Sequence, residues 1–236
     1  MDIKKTELFT FKDILKQENY VICDSSVFSP SGPNWYWEGV YEAKNFAEID
    51  SEYVKGEAEH LKYFTEFLAN QNVYVVPGVC LELQRVRETV ADKIKYLKME
   101  TKKYSKWGHH KGENKINLLQ EVHDMFHESC MEAKRVSFLP KQRQEYNNLE
   151  RIVMNVTEQT GAKIDFDEIY IQRTKPKKIE DLHTDEQTVT VALYLSVIEN
   201  RKGCILTNDS DIGRILPNTL SYFFIPGIAN LIIFSV

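Results

Sequence analysis

The chain alternates short apolar runs with longer stretches in which apolar residues recur every three or four positions. Tyr20-Val21-Ile22-Cys23, Val73-Tyr74-Val75-Val76 and Cys204-Ile205-Leu206-Thr207 are runs of the first kind. Strand-length and apolar on both faces, they suit central strands of a parallel sheet. Further strands are read within Lys163–Gln172, centred on Ile169-Tyr170-Ile171, and near Tyr222–Ile225. The periodic stretches predict helices. Leu61, Phe64 and Leu68 mark one over Glu57–Ala69, and Leu81, Leu83 and Val86 mark another from about Val79 to Lys103. Leu119, Val122, Phe126 and Cys130 share a face of Ile116–Lys134; Tyr146, Leu149, Val153 and Val156 share one of Gln142–Thr160, which Gly161 closes. A helix opens at Thr184 as N-cap, with Asp185 and Glu186 in its first turn, and runs to about Ile198. A short one is read over Ile212–Leu216, and a further one over Leu8–Leu15. Ser25–Trp37 and Tyr104–Asn114 read as loops.

Strands alternating with helices imply an α/β fold with a parallel sheet and helices on both faces. The chain is expected to be a single domain over residues 1–236, with a helical insertion at 104–162. No run of apolar residues is long enough for a spanning helix, because Pro226, Gly227 and Asn230 interrupt the tail, so no membrane is expected. Cys23, Cys80, Cys130 and Cys204 are far apart in sequence, which excludes a zinc-type pairing and fits a reduced, cytoplasmic compartment. The net charge of −5 argues against nucleic-acid binding through bulk charge. Its distribution changes that picture. Residues 85–178 carry 20 Lys and Arg against 14 Asp and Glu, a local +6 that leaves −11 for the rest of the chain. A basic middle beside an acidic remainder suits a protein that holds metal in one place and a polyanion in another.

Four acids stand where such a fold would gather them. Asp24 follows the first strand, Glu82 sits one turn into the helix after the second, Asp185 opens the helix before the third, and Asp209 follows that strand with Asp211 two residues on. Each alone reads as a cap or a solvent-facing helix residue. Together at one sheet edge they repel unless a cation lies between them. Oxygen donors without Cys or His select Mg²⁺ or Mn²⁺, and such an ion supplies the chemistry of phosphate-ester hydrolysis.

At these residues the sequence resembles the PIN-domain family of nucleases. The resemblance lies in Val21-Ile22-Cys23-Asp24-Ser25-Ser26, in Val75-Val76-Pro77-Gly78-Val79-Cys80-Leu81-Glu82-Leu83, in Thr184-Asp185-Glu186-Gln187, and most of all in Ile205-Leu206-Thr207-Asn208-Asp209-Ser210-Asp211. It covers about 20–100 and 180–225. It implies a PIN-like three-layer α/β/α sandwich and Mg²⁺- or Mn²⁺-dependent endonucleolytic cleavage of RNA, single-stranded by preference. Carried over, Asp24, Glu82, Asp185 and Asp209 are the catalytic, metal-binding acids and Asp211 an accessory acid. Thr207 and Asn208 orient the cluster and meet substrate. The helical insertion departs from the small family members and could carry a protein partner or a homodimer contact. Two alternatives stay open: a catalytically silent RNA- or protein-binding module, and a structure-specific DNA nuclease.

Other residues invite a role. Lys175, Lys177 and Lys178, shortly before Asp185, could guide a phosphate backbone. Trp107, His109, His110 and Lys111 could stack on and pair with RNA, or form a plain polar loop. His123 and His127 have the spacing of a helical zinc pair but no evident third ligand, so a partly buried polar face is the better reading.

Overall fold

The computed structural model describes residues 4–5, 20–28, 43, 48–104, 110–136, 140–162, 183–223 and 231–235, with side chains omitted at 4–5, 101–104, 110–113, 140 and 231–235. In chain order the elements are β1 (Lys4–Lys5), β2 (Val21–Cys23), a 3-10 turn (Ser25–Phe28), α1 (Ser51–Leu68), β3 (Val73–Val75), α2 (Pro77–Tyr104) and α3 (His110–Glu132). Then follow α4 (Pro140–Thr160), α5 (Thr184–Leu193) with a π-helical continuation (Tyr194–Ile198), β4 (Gly203–Leu206), α6 (Ile212–Tyr222) and β5 (Leu231–Ser235). The chain divides into two compact units, one of residues 1–27, 70–80 and 134–236, the other of 28–69 and 81–133. The division runs through the expected insertion: α4 belongs with the sheet, α3 does not.

The sheet unit is α/β. Its five strands run in the order β1-β5-β4-β2-β3, and every adjacent pair is parallel. β2 and β4 are apolar and buried along their whole length, as strands covered on both faces must be. Helix α5 packs on both of them, and α4 and α6 pack against α5 and each other. Two features fix this packing. Tyr20 donates its hydroxyl to the Ala192 carbonyl at 2.9 Å and bonds Ser196, tying the entry of β2 to the end of α5. Its ring lies against Gly203, where no Cβ would fit. The helix ends in a π turn closed by Glu199 N–H on the Tyr194 carbonyl at 3.2 Å, after which Arg201 N–H reaches back to the Leu195 carbonyl at 2.9 Å, with Asn200 at a φ of 51° supplying the left-handed turn.

In the other unit α1 packs on α3. The helix begins at Ser51, six residues before the periodicity suggests, because the Asp50 carboxylate caps it by accepting from the Glu52 and Tyr53 amides at 3.0 and 3.4 Å. Such a cap contributes about 1 kcal/mol. Phe64 anchors the core edge-on to Phe28, with ring centroids 4.7 Å apart, and Thr65 meets Ser129 across the helix pair at 2.7 Å.

Several expectations shift. Helix α2 begins at Pro77 and not Val79, as a proline in the first turn permits. Helix α6 runs on to Tyr222, so no strand begins there: Ile212, Ile215, Leu216, Thr219 and Leu220 make one buried face, and that face carries the helix through Pro217. The last described strand is β5, between β1 and β4. Thr184 is the first helical residue and not the cap. His183 takes the cap position without a side-chain bond, since Thr184 is buried against Gly78. Among the described residues no helix is long and apolar enough to cross a membrane. The expected helix over Leu8–Leu15 and strand within Lys163–Gln172 lie outside the described residues.

Candidate functional site

The site is built where the sheet changes direction. From β2 the chain moves to β3 on one side. From β3 it returns past β2 to β4 on the other. The carboxyl ends of β2 and β4 therefore flank a topological switch point, the crevice where open α/β sheets bind ligands. The register pairs Cys23 with Leu206, and Asp24 N–H extends the ladder to the Leu206 carbonyl at 3.0 Å. Asp24 and Thr207 are thus the first residues beyond the two strands, side by side.

A compact network follows from that juxtaposition. The Asp24 carboxylate is 1% exposed. Its Oδ2 accepts from Ser26 Oγ at 2.6 Å, Thr207 Oγ1 at 3.0 Å and the Ser26 amide at 3.3 Å. Ser26 Oγ in turn accepts from the Asn208 amide at 2.8 Å, and Thr207 Oγ1 accepts from the Asp209 amide at 2.8 Å. A hydroxyl has one proton to give. With both protons committed to Oδ2, the 3.2 Å approach of the two hydroxyl oxygens is a contact and not a further bond. Two backbone amides thus feed two hydroxyls, and both hydroxyls converge on one carboxylate oxygen. The other, Oδ1, takes no hydrogen bond among the described residues.

The turn after β4 holds the second acid. Asp209 Oδ1 accepts the Asp211 amide at 2.7 Å, a side-chain turn that competes locally with regular structure. Asp211 stands at the cap position of α6, but its carboxylate makes no cap bond. It pairs with Arg214 at 3.1 Å, and its backbone carbonyl receives the Arg214 and Ile215 amides. Asp24 and Asp209 are thereby joined through the single hydroxyl of Thr207. Beneath them Cys23 and Cys204 are buried and in no disulfide, and burial, then the neighbouring Cys204 and Asp24, push the Cys23 thiol well above its ordinary value.

Asp185 is half-buried in the first turn of α5, at the helix end where negative charge is favoured. The start of α5 is held against the start of α2. Gly78 N–H donates to Gln187 Oε1 at 3.3 Å, and a Cβ at Gly78 would stand 2.6 Å from Thr184 Oγ1, so only glycine allows this approach. Glu82 is half-buried on the second turn of α2 and belongs to the other unit. Among the described residues no three His, Cys, Asp or Glu side chains stand close enough together to hold a metal ion between them. The structure brings Asp24 and Asp209 into one network; it does not assemble a ready cage of Asp24, Asp185 and Asp209.

Thr207 is 2% exposed and its proton is spent on Asp24, so it positions the carboxylate instead of facing a substrate. Asn208 enters the network through its backbone amide. Ser26 has no counterpart among the residues expected from sequence. Its signal was a hydroxyl two residues after a strand-end aspartate, the spacing of a side-chain turn. His123 and His127 both meet Arg87: Arg87 Nε donates to His123 Nε2 at 3.3 Å and Nη1 to His127 Nδ1 at 2.9 Å. Lys175, Lys177, Lys178, Trp107 and His109 lie outside the described residues, as do the side chains of His110 and Lys111.

No family model, curated protein or solved structure matches the chain.

Proposed function

We propose that the chain is a Mg²⁺- or Mn²⁺-dependent endoribonuclease of PIN-like fold, with Asp24 and Asp209 holding the ion at the carboxyl ends of β2 and β4. One observation carries the reading. A buried carboxylate at the switch point has one oxygen held by two hydroxyls, while the other takes no hydrogen bond among the described residues. An oxygen so placed at a strand end is the kind of donor that a hard divalent cation takes.

The donors fit this ion without a larger cage. Mg²⁺ keeps several waters and needs only one or two carboxylates beside the phosphate oxygens of its substrate. When bound, the ion supplies an acidified water and neutralises charge on a phosphoryl oxygen. The chain's own residues do the rest of what is assigned here. Ser26 and Thr207 fix the Asp24 carboxylate, the turn 207–211 fixes Asp209, and Arg214 neutralises Asp211 so that the third acid adds little charge. RNA as substrate rests on the resemblance of the four sequence motifs.

The test is cleavage of labelled single-stranded RNA with Mn²⁺ or EDTA, by wild type and Asp24→Asn. The asparagine keeps the shape and still accepts from Ser26 and Thr207. Cleavage that needs Mn²⁺ and is lost in the variant supports the reading; equal cleavage by the variant refutes it. A DNA flap cleaved in preference to RNA would reassign the substrate. The lack of a three-acid group among the described residues favours a second reading, an RNA- or protein-binding module without hydrolysis. RNA bound equally well in EDTA, with no cleavage under Mg²⁺ or Mn²⁺, would establish it.

A further inference from the structure

The helical unit contains a cleft of about 420 Å³ between α2 and α3. Ala91, Ile94 and Met99 give it an apolar lining, Lys95 and Lys98 add charge, and Gln120 and His123 face them from α3. The α2 residues recur at spacings of three and four, so they share one helix face. Arg87 stands on that face one turn before Ala91.

Two of the three cations on this face have no anion of their own among the described residues. Lys95 and Lys98 make no ion pair or hydrogen bond among the described residues. Arg87 is held by two imidazoles and by no carboxylate among the described residues. A guanidinium only donates, so both ring nitrogens that it meets are acceptors. That places the His123 proton on Nδ1, which donates to Asp124 Oδ1 at 2.9 Å. The two rings orient Arg87, whose charge also acts on the Asp124 carboxylate. Asp124, next to the lining residue His123, is spent on His123 and Gln120, the latter at 3.1 Å. Gln120 keeps its carbonyl oxygen as an acceptor.

We propose that this cleft binds the phosphate of a nucleotide. Convergent positive charge without internal partners calls for a polyanion, and lysine serves a phosphate as a point charge. An apolar lining calls for a ligand with an apolar or planar body behind that anion, and the Gln120 oxygen for a donor on it. A nucleotide meets all three requirements, whether free or within a single strand. The site is independent of the carboxylates at the sheet edge and needs no metal.

The test is fluorescence anisotropy of the full chain in EDTA, with a labelled adenosine 5′-phosphate in one arm and a labelled single-stranded oligonucleotide in the other. Wild type is compared with Lys95→Gln/Lys98→Gln, both exposed positions where substitution spares the fold. Saturable binding in either arm, weakened at least about tenfold in the double variant, supports the proposal, and the arm that binds identifies the source. For the strand, the slope of log affinity against log salt falls by about 1.4, from about 0.7 per lost phosphate contact. Three results would overturn it: no saturable binding in either arm, binding unchanged in the double variant, or equal competition by inorganic phosphate, which would reduce the site to charge alone.

Discussion

Thr207→Val isolates the network that holds Asp24. Valine keeps the β-branched shape, so the backbone at the end of β4 is undisturbed and no cavity forms. What is lost is a donor to a buried carboxylate at 3.0 Å and an acceptor for the Asp209 amide at 2.8 Å. A hydrogen bond to a charged group contributes about 1.5–3 kcal/mol and a neutral one about 0.5–1.5. The methyl that replaces the hydroxyl returns about 0.8 kcal/mol on burial. The expected loss is therefore about 2–3 kcal/mol, read as a lowered midpoint of urea unfolding at pH 7 with unchanged slope. Thr207→Ser keeps the hydroxyl and loses only a methyl, so its loss stays near about 1 kcal/mol. Ser26→Ala removes the other hydroxyl on the same oxygen, and the double variant with Thr207→Val departs from additivity by at least about 0.5 kcal/mol. A valine variant no less stable than the serine variant, or additive losses, would refute the account of two hydroxyls sharing Asp24 Oδ2.

Gly203→Ala drives a methyl into the buried ring of Tyr20, and overpacking of this kind costs about 1–3 kcal/mol, measurable in the same unfolding assay. Asp124 is held below the ordinary carboxylate value of 3.8 by its hydrogen bond from His123. A lowered folded-state value contributes stability at pH above the unfolded value and loses it as pH falls through the folded one. In Asp124→Asn the fall of stability below about pH 4 is shallower than in wild type, by a small amount because the side chain is 62% exposed. Cys23, Cys80 and Cys204 are buried while Cys130 is half-buried, so a thiol reagent at pH 8 modifies Cys130 first in the native protein and the others only on unfolding. Rapid native modification of Cys23 would contradict its raised pKa and its place under the site.

Much of this molecule is written in its residue pattern. The both-face apolarity of Val21–Cys23 and Cys204–Leu206 marks buried parallel strands, and the periodicity over Leu119–Cys130 and Tyr146–Val156 marks α3 and α4. Asp24 and Asp209 stand out in sequence only when taken together with the other strand-end acids, since each alone reads as a cap. The boundaries were less legible, because local signals compete with packing. Thr184 reads as a cap yet is drawn inside α5 by its contact with Gly78, and Pro217 reads as a stop yet is carried through by the buried face of α6.

The sequence by itself determined the parallel sheet, the type of its main helices, and the two acids at the sheet edge. These follow from periodicity and from the chemistry of single residues. Only the tertiary structure decided which groups meet. The register of β2 on β4 sets Thr207 beside Asp24, and the 3-10 turn brings Ser26 onto the same oxygen. It also gave His123 and His127 an arginine for a partner, and left Lys95 and Lys98 facing a cleft without an acid. Such pairings depend on distances between residues far apart in the chain, which spacing along it does not encode.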